Sequence, residues 1–472
     1  MQTRQPFKVF ESQGHYFLYH TSSGQLFHIE ADVAQFLELC YTLNIEDARQ
    51  HLIKNGTTES LTNAIVSDVT ELANQGLFTV YTQGVSTDVF EKELEKRYSA
   101  PWNKLELALA ESCNLACKYC YCSNSRDIPN QGLMSENIAR HAITWLFAMS
   151  GKSESVSITF FGGEPLLNKS VLRFAIKYSQ QLAALHEKKV YYSMTTNGTL
   201  LDDEVIHYIK RYNFGLMVSL DGPEELHNSQ CPTQTGEGSF NIATKGIKAL
   251  MKRRRSVTVR CTMTHPVPNI LNLIQFFEDF GFTRIVLGRT VNPIHQSPVD
   301  FQAEDFAEMR RQEINEVIPW ILEKLARGET PKYYPYSKFI KDYENGVPAP
   351  PNLFRCGACR GTTTVGADGN LYPCHRFVGM QNWKIGDIQT GPDYEKCKQF
   401  WRNYRKSISG QCDSCWLWRS CGGPCPWEIA QADGNFNMKL KYCDDIEEHF
   451  KLASYIFVKK QEQTTRKGKK NG

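Results

Sequence analysis

Cys113, Cys117, Cys120 and Cys122 crowd one short segment, nine more of the chain's 16 cysteines fall between Cys356 and Cys443, and the rest are Cys40, Cys231 and Cys261. Spacing says more than number. Cys113-Asn-Leu-Ala-Cys117-Lys-Tyr-Cys120 sets three thiolates at intervals that wrap three corners of a cubane iron–sulfur cluster and leave the fourth iron open to a ligand. Taken alone, the triple would also suit zinc or buried free thiols. Farther on, Cys359 is followed by nine residues, Gly369, four residues and Cys374, and then by Cys412, Cys415, Cys421, Cys425 and Cys443. In isolation Cys412 to Cys425 could be a zinc ribbon. Cys122 and Cys397 fit neither pattern, and Cys40 and Cys261 sit in apolar runs that suit core positions.

These groups need elements to hold them. From Lys104 to about Pro293, apolar or β-branched runs recur at Leu105–Leu109, Val156–Phe161, Val190–Thr196, Leu216–Leu220, Val257–Met263 and Ile285–Leu287. Helical patterns separate them, such as Ser135–Met149 with Ile138, Ala142, Trp145, Leu146 and Met149 on one face. Six strand–helix repeats predict an α/β fold with a buried parallel sheet, doubly wound or an incomplete β/α barrel, with its reactive groups at the carboxyl ends of the strands.

Upstream, Phe7–Phe10, Tyr16–His20 and Gln25–Ile29 read as strands, Ala31–Leu43, Ile45–Asn55 and Leu61–Gln75 as helices, and Leu77–Tyr81 as a closing strand. This is a small winged-helix-like unit, and a structural cap or dimerisation domain is its plain reading. The divisions expected are 1–83 for this unit, 84–100 for a linker, 101–300 for the barrel, 301–355 for bridging helices, 356–448 for a cysteine-rich domain and 449–472 for a basic tail, disordered from about Lys459. The cysteine-rich part is poor in long periodic runs and is expected to be organised by metal.

Lys plus Arg number 54 against Asp plus Glu 51, so the formal charge of +3 gives no field that argues for nucleic acid or an anionic membrane. Met1–Tyr16 lacks the apolar core of a signal peptide, and no stretch is long and apolar enough to span a bilayer. A cytoplasmic protein with reduced, metal-binding thiols is the expectation.

The Cys113–Cys120 motif after the first barrel strand, Gly162-Gly163-Glu164-Pro165 after the second, Thr196-Asn197-Gly198 after the third and Ser219-Leu220-Asp221-Gly222 after the fourth together resemble the radical S-adenosylmethionine (SAM) superfamily. The resemblance implies a partial (β/α)6 barrel and a [4Fe-4S] cluster on Cys113, Cys117 and Cys120. The open iron would chelate AdoMet, whose reductive cleavage yields a 5'-deoxyadenosyl radical. It places Glu164 and the Gly162-Gly163 backbone at the methionine amino group, Tyr119 beside the adenine, and Asn197, Ser219 and Arg260 around the ribose or carboxylate. The later cysteines resemble the seven-cysteine SPASM extension, with Cys356 as an eighth thiolate. By that analogy Cys356, Cys359, Cys374 and Cys425 hold an inner auxiliary cluster, and Cys412, Cys415, Cys421 and Cys443 an outer one. Cys356 also fits the spacing to Gly369, and without Cys359 the inner cluster would have an open iron able to bind a substrate thiolate.

His375 follows Cys374 where sulfatase-maturing relatives carry an aspartate base, and it is either a proton acceptor or a structural histidine beside a cluster. Cys231 stands just before Pro232, where relatives place arginine, and is either a hydrogen-atom relay or substrate ligand or a spare thiol. The segment around His375 resembles thioether-forming maturases of the six-cysteine-peptide and quinohemoprotein amine dehydrogenase type. The resemblance implies a precursor peptide or small protein subunit as substrate, its leader paired to the N-terminal hairpin, and a reducing donor such as flavodoxin or ferredoxin. Ether or carbon–carbon crosslinking is the rival within the class. A non-catalytic iron–sulfur electron carrier leaves Gly162–Pro165 and the open first cluster without a role.

Overall fold

A computed structural model describes residues 6–21, 23–78, 87–120, 132–254, 256–290, 297–334, 336–337, 353–431 and 439–470. Strands β1 (Phe7–Ser12), β2 (His15–His20) and β3 (Leu26–Ile29) form an antiparallel sheet in that order, β1 and β2 joined by the two-residue turn Gln13–Gly14. Helices α1 (Ala31–Leu39), α2 (Ile45–Lys54) and α3 (Glu59–Asn74) cover one face of it. Asn44 and Thr58 accept from Asp47 N and Leu61 N, so the first-turn donors of α2 and α3 are satisfied locally. Phe7, Leu18, Phe36, Leu37, Leu52 and Val69 make a separate small core. Of the expected closing strand, Leu77 and Phe78 lie in a turn and 79–81 fall outside the described residues. The expected linker contains α4 (Thr87–Ser99), whose buried Phe90 and Leu94 join the main core.

The other face of the small sheet is not free. Phe10, Phe17 and Tyr19 pack on Leu417, Phe450 and Val458 of the cysteine-rich end, and the Tyr19 hydroxyl lies 2.9 Å from Ser420 Oγ.

Six parallel strands build the barrel: β4 (Lys104–Ala110), β5 (Ser155–Gly162), β6 (Lys189–Thr196), β7 (Gly215–Ser219), β8 (Thr258–Met263) and β9 (Arg284–Arg289), each paired with the next. They fall within two residues of the six apolar runs, as burial on both faces of a parallel sheet requires. Ser135 caps the helix Glu136–Met149 by accepting from Ile138 N.

Five strands too short to be seen in the sequence extend this sheet, four of them in the cysteine-rich region. β10 (Tyr333–Tyr334) flanks β9, and β11 (Thr364–Val365), β12 (Asn370–Tyr372), β13 (Gly386–Asp387) and β14 (Gly391–Pro392) continue from β4. Since β11 pairs in parallel with β4, Thr364 against Glu106, the Cys374 segment is carried to the barrel mouth.

Two expectations are corrected. The cysteine-rich part holds a 19-residue helix, Tyr394–Cys412, whose Phe400, Trp401, Tyr404 and Ile408 belong to the barrel's own core. The segment from Lys459 to Lys470, expected to be disordered, is helical: one helix runs Lys439–Lys470, straight across residue 449. Burial of Phe450, Leu452, Ala453 and Ile456 supports it, and the following Lys, Gln, Glu and Arg residues are good helix formers with no proline to stop them. Among the described residues no helix is long and apolar enough to cross a membrane.

Candidate active site

A cavity of about 490 Å³ opens where β4–β7 end, and Cys113, Cys117 and Cys120 line it. The loop carrying them is pinned by backbone bonds, Ala116 N to Pro232 O at 2.8 Å and Lys118 N to Gln230 O at 2.9 Å. Gln234 Nε2 donates to the carbonyls of Cys113 and Leu115. Burial above all pushes the Cys113 thiol up to about 12, and Glu164, Cys117 and Cys120 add to it, while the Leu115 N–H opposes it. The three half-buried thiols line one wall of one cavity, and thiolate ligands there would be matched by the positive charge of iron. The donor set therefore fits a cluster.

The glycines of Gly162-Gly163 are required by close approach. Gly162 has φ +141°, and a Cβ on it would lie 2.1 Å from Ala110 O. On Gly163 a Cβ would lie 2.4 Å from Ser112 O and 3.1 Å from Cys113 Cβ. Backbone here abuts the cysteine loop with no room for a side chain.

Of the residues expected at AdoMet, Gly162, Gly163, Asn197, Ser219 and Tyr119 line the cavity, and Glu164 and Arg260 do not. Glu164 is fully buried and accepts from Leu166 N at 3.0 Å, Thr196 Oγ1 at 2.8 Å and Asn197 N at 2.8 Å. Burial raises its carboxyl to about 7 against those hydrogen bonds, which lower it. Its observed work is to hold Asn197, whose Nδ2 reaches Asn114 Oδ1 at 3.0 Å and Cys113 Sγ at 3.8 Å. Arg260 lies on β8 with its guanidinium over β9, where a Cβ on Gly288 would stand 2.0 Å from Nη2. The Tyr119 hydroxyl donates to Asp221 Oδ2 at 2.7 Å.

Asp221 is a site residue that the sequence reading passed over, although it stands inside the quoted Ser219–Gly222 motif. Its Oδ2 also accepts from Cys231 Sγ at 3.1 Å, and its Oδ1 from Thr262 N at 2.8 Å. Asp221, His227 and Cys231 come close enough to suggest a metal. The imidazole is already engaged on both sides, because Nδ1 accepts from Asp221 N at 3.1 Å and Nε2 faces Ser239 Oγ at 3.0 Å. No ring lone pair is left for an ion.

The opposite wall comes from the cysteine-rich region. His375 and Val378 line the same cavity as the cysteine triple. The His375 ring lies 4.2 Å from the Phe161 ring, and its Nδ1 sits 3.3 Å from Glu106 Oε2. Thr364 Oγ1 donates to that same oxygen at 2.8 Å. Glu106 was also missed; its signal was one acidic residue inside the apolar run Leu105–Leu109.

Behind this wall the remaining thiols sort into groups. Burial raises the Cys374 thiol, and Cys425 and Cys356 raise it further. Burial likewise brings Cys412 to about 12, with Cys415, Cys421 and Cys443 adding to it. Cys359 is set differently, with its thiol interacting first with Cys397 and only then with Cys374. Cys40 and Cys261 are in the cores as expected, Cys40 half-buried and Cys261 fully, and Cys122 lies outside the described residues.

Comparison with known proteins agrees with this architecture. A cysteine-type anaerobic sulfatase-maturating enzyme of Clostridium perfringens (strain 13 / Type A) is 21% identical over 373 residues, covering 75% of this chain and 96% of its own length. The radical SAM cyclopropyl synthase TigE of Paramaledivibacter caminithermalis is 24% identical over 366 residues, covering 72% of this chain and 71% of its own. In fold, the solved structure of native anSMEcpe with bound AdoMet superposes with a TM-score of 0.62 at 20% identity, over 75% of this chain and 98% of that one. Residues 108–283, which contain the cysteine triple, the glycine pair and strands β5 to β8, match the Radical SAM superfamily, so this chain carries a radical SAM domain and is a radical SAM enzyme.

Proposed function

We propose that this enzyme matures a ribosomally made peptide or small protein subunit by joining a cysteine sulfur to an unactivated carbon. The observation that carries the reading is the shared cavity, walled on one side by Cys113, Cys117 and Cys120 and on the other by His375 and Val378. A substrate seated there meets the radical-generating centre and the cysteine-rich domain together. The relative named for sulfatase maturation supports a substrate that is itself a protein or peptide.

A radical SAM domain implies a [4Fe-4S] cluster and bound AdoMet, which together supply a radical able to take a hydrogen atom from an unactivated C–H bond. Cys113, Cys117 and Cys120 would hold that cluster. The Gly162-Gly163 backbone, Asn197, Ser219 and Tyr119 would orient AdoMet, with Glu164 fixing Asn197 and Asp221 fixing Tyr119. Cys356, Cys374 and Cys425, with Cys359 close by, and Cys412, Cys415, Cys421 and Cys443 would hold two further clusters. His375, braced by Glu106, would accept the proton that the substrate gives up. Cys231, buried at the cavity on Asp221, is a candidate thiol relay.

The N-terminal unit would take the leader as an added strand. Among the described residues β3 pairs with β2 alone, which leaves its outer edge for main-chain pairing. A low-potential donor such as flavodoxin or ferredoxin would supply electrons, and a cytoplasmic setting would keep the thiols reduced.

Anaerobic purification should give about 12 irons, from three four-iron clusters, with AdoMet cleavage on reduction. Incubation with a short peptide encoded nearby should remove two hydrogens and block one thiol per link. Carbon–carbon closure is the second reading, favoured by the kinship to a cyclopropyl synthase. An unchanged thiol count in the product would overturn the thioether assignment and select that one.

A further inference from the structure

The guanidinium of Arg260 makes no hydrogen bond or ion pair among the described residues. On β8, Val259, Cys261 and Met263 are buried in the main core, which turns Thr258, Arg260 and Thr262 to the other face. Arg260 pairs with Ser219 of β7 and Val286 of β9. Residues paired across a sheet share a face, so Arg260 points to the side on which Ser219 lines the cavity, one strand farther round at about 4.8 Å. Gly288 makes the room. A Cβ there would overlap the Arg260 guanidinium, and Gly288 has no left-handed backbone that would otherwise call for glycine.

Neighbouring charges do not neutralise it. Asp221 has both oxygens engaged, Oδ2 by Tyr119 and Cys231 and Oδ1 by Thr262 N. Asp445 is taken by Arg289, at the end of β9, with an ion pair of 2.6 Å. Burial holds the Arg260 guanidinium below the usual arginine range, and Arg376 adds to that, against Cys261, Tyr119 and Asp221. Arg376 follows His375 and is held over the Trp427 ring, 5.0 Å from its centroid. Positive charge here comes from the barrel and the cysteine-rich domain together. A guanidinium sheltered from water and left without a partner costs free energy until an anion completes it.

We propose that Arg260 anchors a carboxylate of the peptide substrate, an Asp or Glu side chain or the C-terminus, gripped by the two-pronged guanidinium over β9. This rests on the reading that the substrate is a peptide. Position separates the anchor from AdoMet. Arg260 leans over Gly288 of β9 and does not line the cavity that gathers the residues expected at AdoMet, whereas the cysteine triple follows β4, at the other end of the six barrel strands. AdoMet, expected at the open iron of that triple, belongs to the β4 end. An anchor at β8 fixes which residue of the peptide faces the radical-generating centre, and so selects the position of the crosslink.

The test uses full-length protein purified anaerobically with its clusters, and the short peptide encoded nearby. Each carboxylate of that peptide is neutralised in turn, Asp to Asn, Glu to Gln and the C-terminus to its amide. One of these changes should raise KM about tenfold to a hundredfold, the range for a hydrogen bond to a charged group, and its position identifies the source. Arg260→Gln should raise KM for the unaltered peptide by the same factor, add nothing further for the altered one, and keep the wild-type affinity for AdoMet. Arg260→Lys keeps the charge without the fork and should fall between. Weakened AdoMet binding in Arg260→Gln, with KM for the peptide unmoved, gives the guanidinium to AdoMet and overturns the proposal. A peptide series in which no carboxylate matters to the wild-type enzyme overturns it as well, with no variant needed. If wild type leaves the peptide unmodified, the peptide-maturation reading falls and this one with it; crosslinking with KM unmoved in Arg260→Gln sinks the anchor alone.

Discussion

His375 and Glu106 are joined across the junction of the barrel and the cysteine-rich domain, Nδ1 to Oε2 at 3.3 Å, although 269 residues separate them. Thr364 holds the same carboxylate oxygen from β11, so the pair depends on the strand that links the two domains. Fixing Nδ1–H on a carboxylate settles the ring's orientation and tautomer. Glu106→Gln should slow crosslink formation about a hundredfold, the lower end of the range ascribed to positioned proton transfer. His375→Gln should slow it more. In both variants 5'-deoxyadenosine should still form, uncoupled from product. Wild-type crosslinking by Glu106→Gln would remove the pair from the mechanism.

Gly163 makes a sharper test of the cluster loop than a cysteine change does, because it alters sterics without removing a ligand. A methyl group there would stand 2.4 Å from Ser112 O, which must move and carry Cys113 with it. Gly163→Ala should therefore purify with about 8 irons in place of about 12, keep the auxiliary signals and lose AdoMet cleavage. Gly410→Ala is the control, since nothing lies within 4 Å of its added carbon. In the helix Tyr394–Cys412 it should be neutral or stabilising by up to about 1 kcal/mol. A full iron complement in Gly163→Ala would show that the loop tolerates the shift.

The barrel was legible because burial on both faces leaves each strand as an apolar run that needs no long-range information. Ligand spacing exposed the cysteine triple for the same local reason. Asp221 was not legible, although it lay in a quoted motif, because its partner Tyr119 comes from beyond β4 and Cys231 from the far end of the helix after β7, and only the folded barrel brings the three together. Strands β11 to β14 are two or three residues long, below any length at which periodicity is readable. The C-terminal helix was misread because its polar composition hides the packing of Phe450 to Val458 that supports it.

If the leader binds by adding a strand to β3, its affinity comes from main-chain hydrogen bonds more than from side chains. N-methylation of a single pairing amide in a synthetic leader should then weaken binding about fivefold, for a bond worth about 1 kcal/mol. Alanine at an outward-facing side chain should change it less. Fluorescence anisotropy of the labelled leader measures both. Equal losses from the two changes would argue against strand addition.

Glu313 gives the last prediction. It is fully buried in a π-helical turn, Glu313–Val317, between the helices Ala303–Gln312 and Ile318–Ala326. Burial foremost, then the neighbouring Asp445, raises its carboxyl to about 8, against the lowering effect of Arg289 and Arg310. His449 stands 3.8 Å away and is itself held low by burial, at about 4, so it brings no charge near neutrality. The native state must therefore keep Glu313 protonated at a pH where the unfolded chain, near 4.5, has already released that proton. Below about 4.5 this costs nothing; the penalty grows as pH rises to about 8 and is constant above it, reaching on the order of 5 kcal/mol. Glu313→Gln holds a neutral group at every pH and should abolish this dependence. The difference in Tm between variant and wild type, measured anaerobically on cluster-loaded protein, should move in the variant's favour by several degrees from pH 5.5 to pH 8.5. Comparison at matched pH cancels every other titration common to the two proteins. A difference that stays constant over that interval would mean that Glu313 is ionised in the native protein, held as an anion by Arg289 and Arg310.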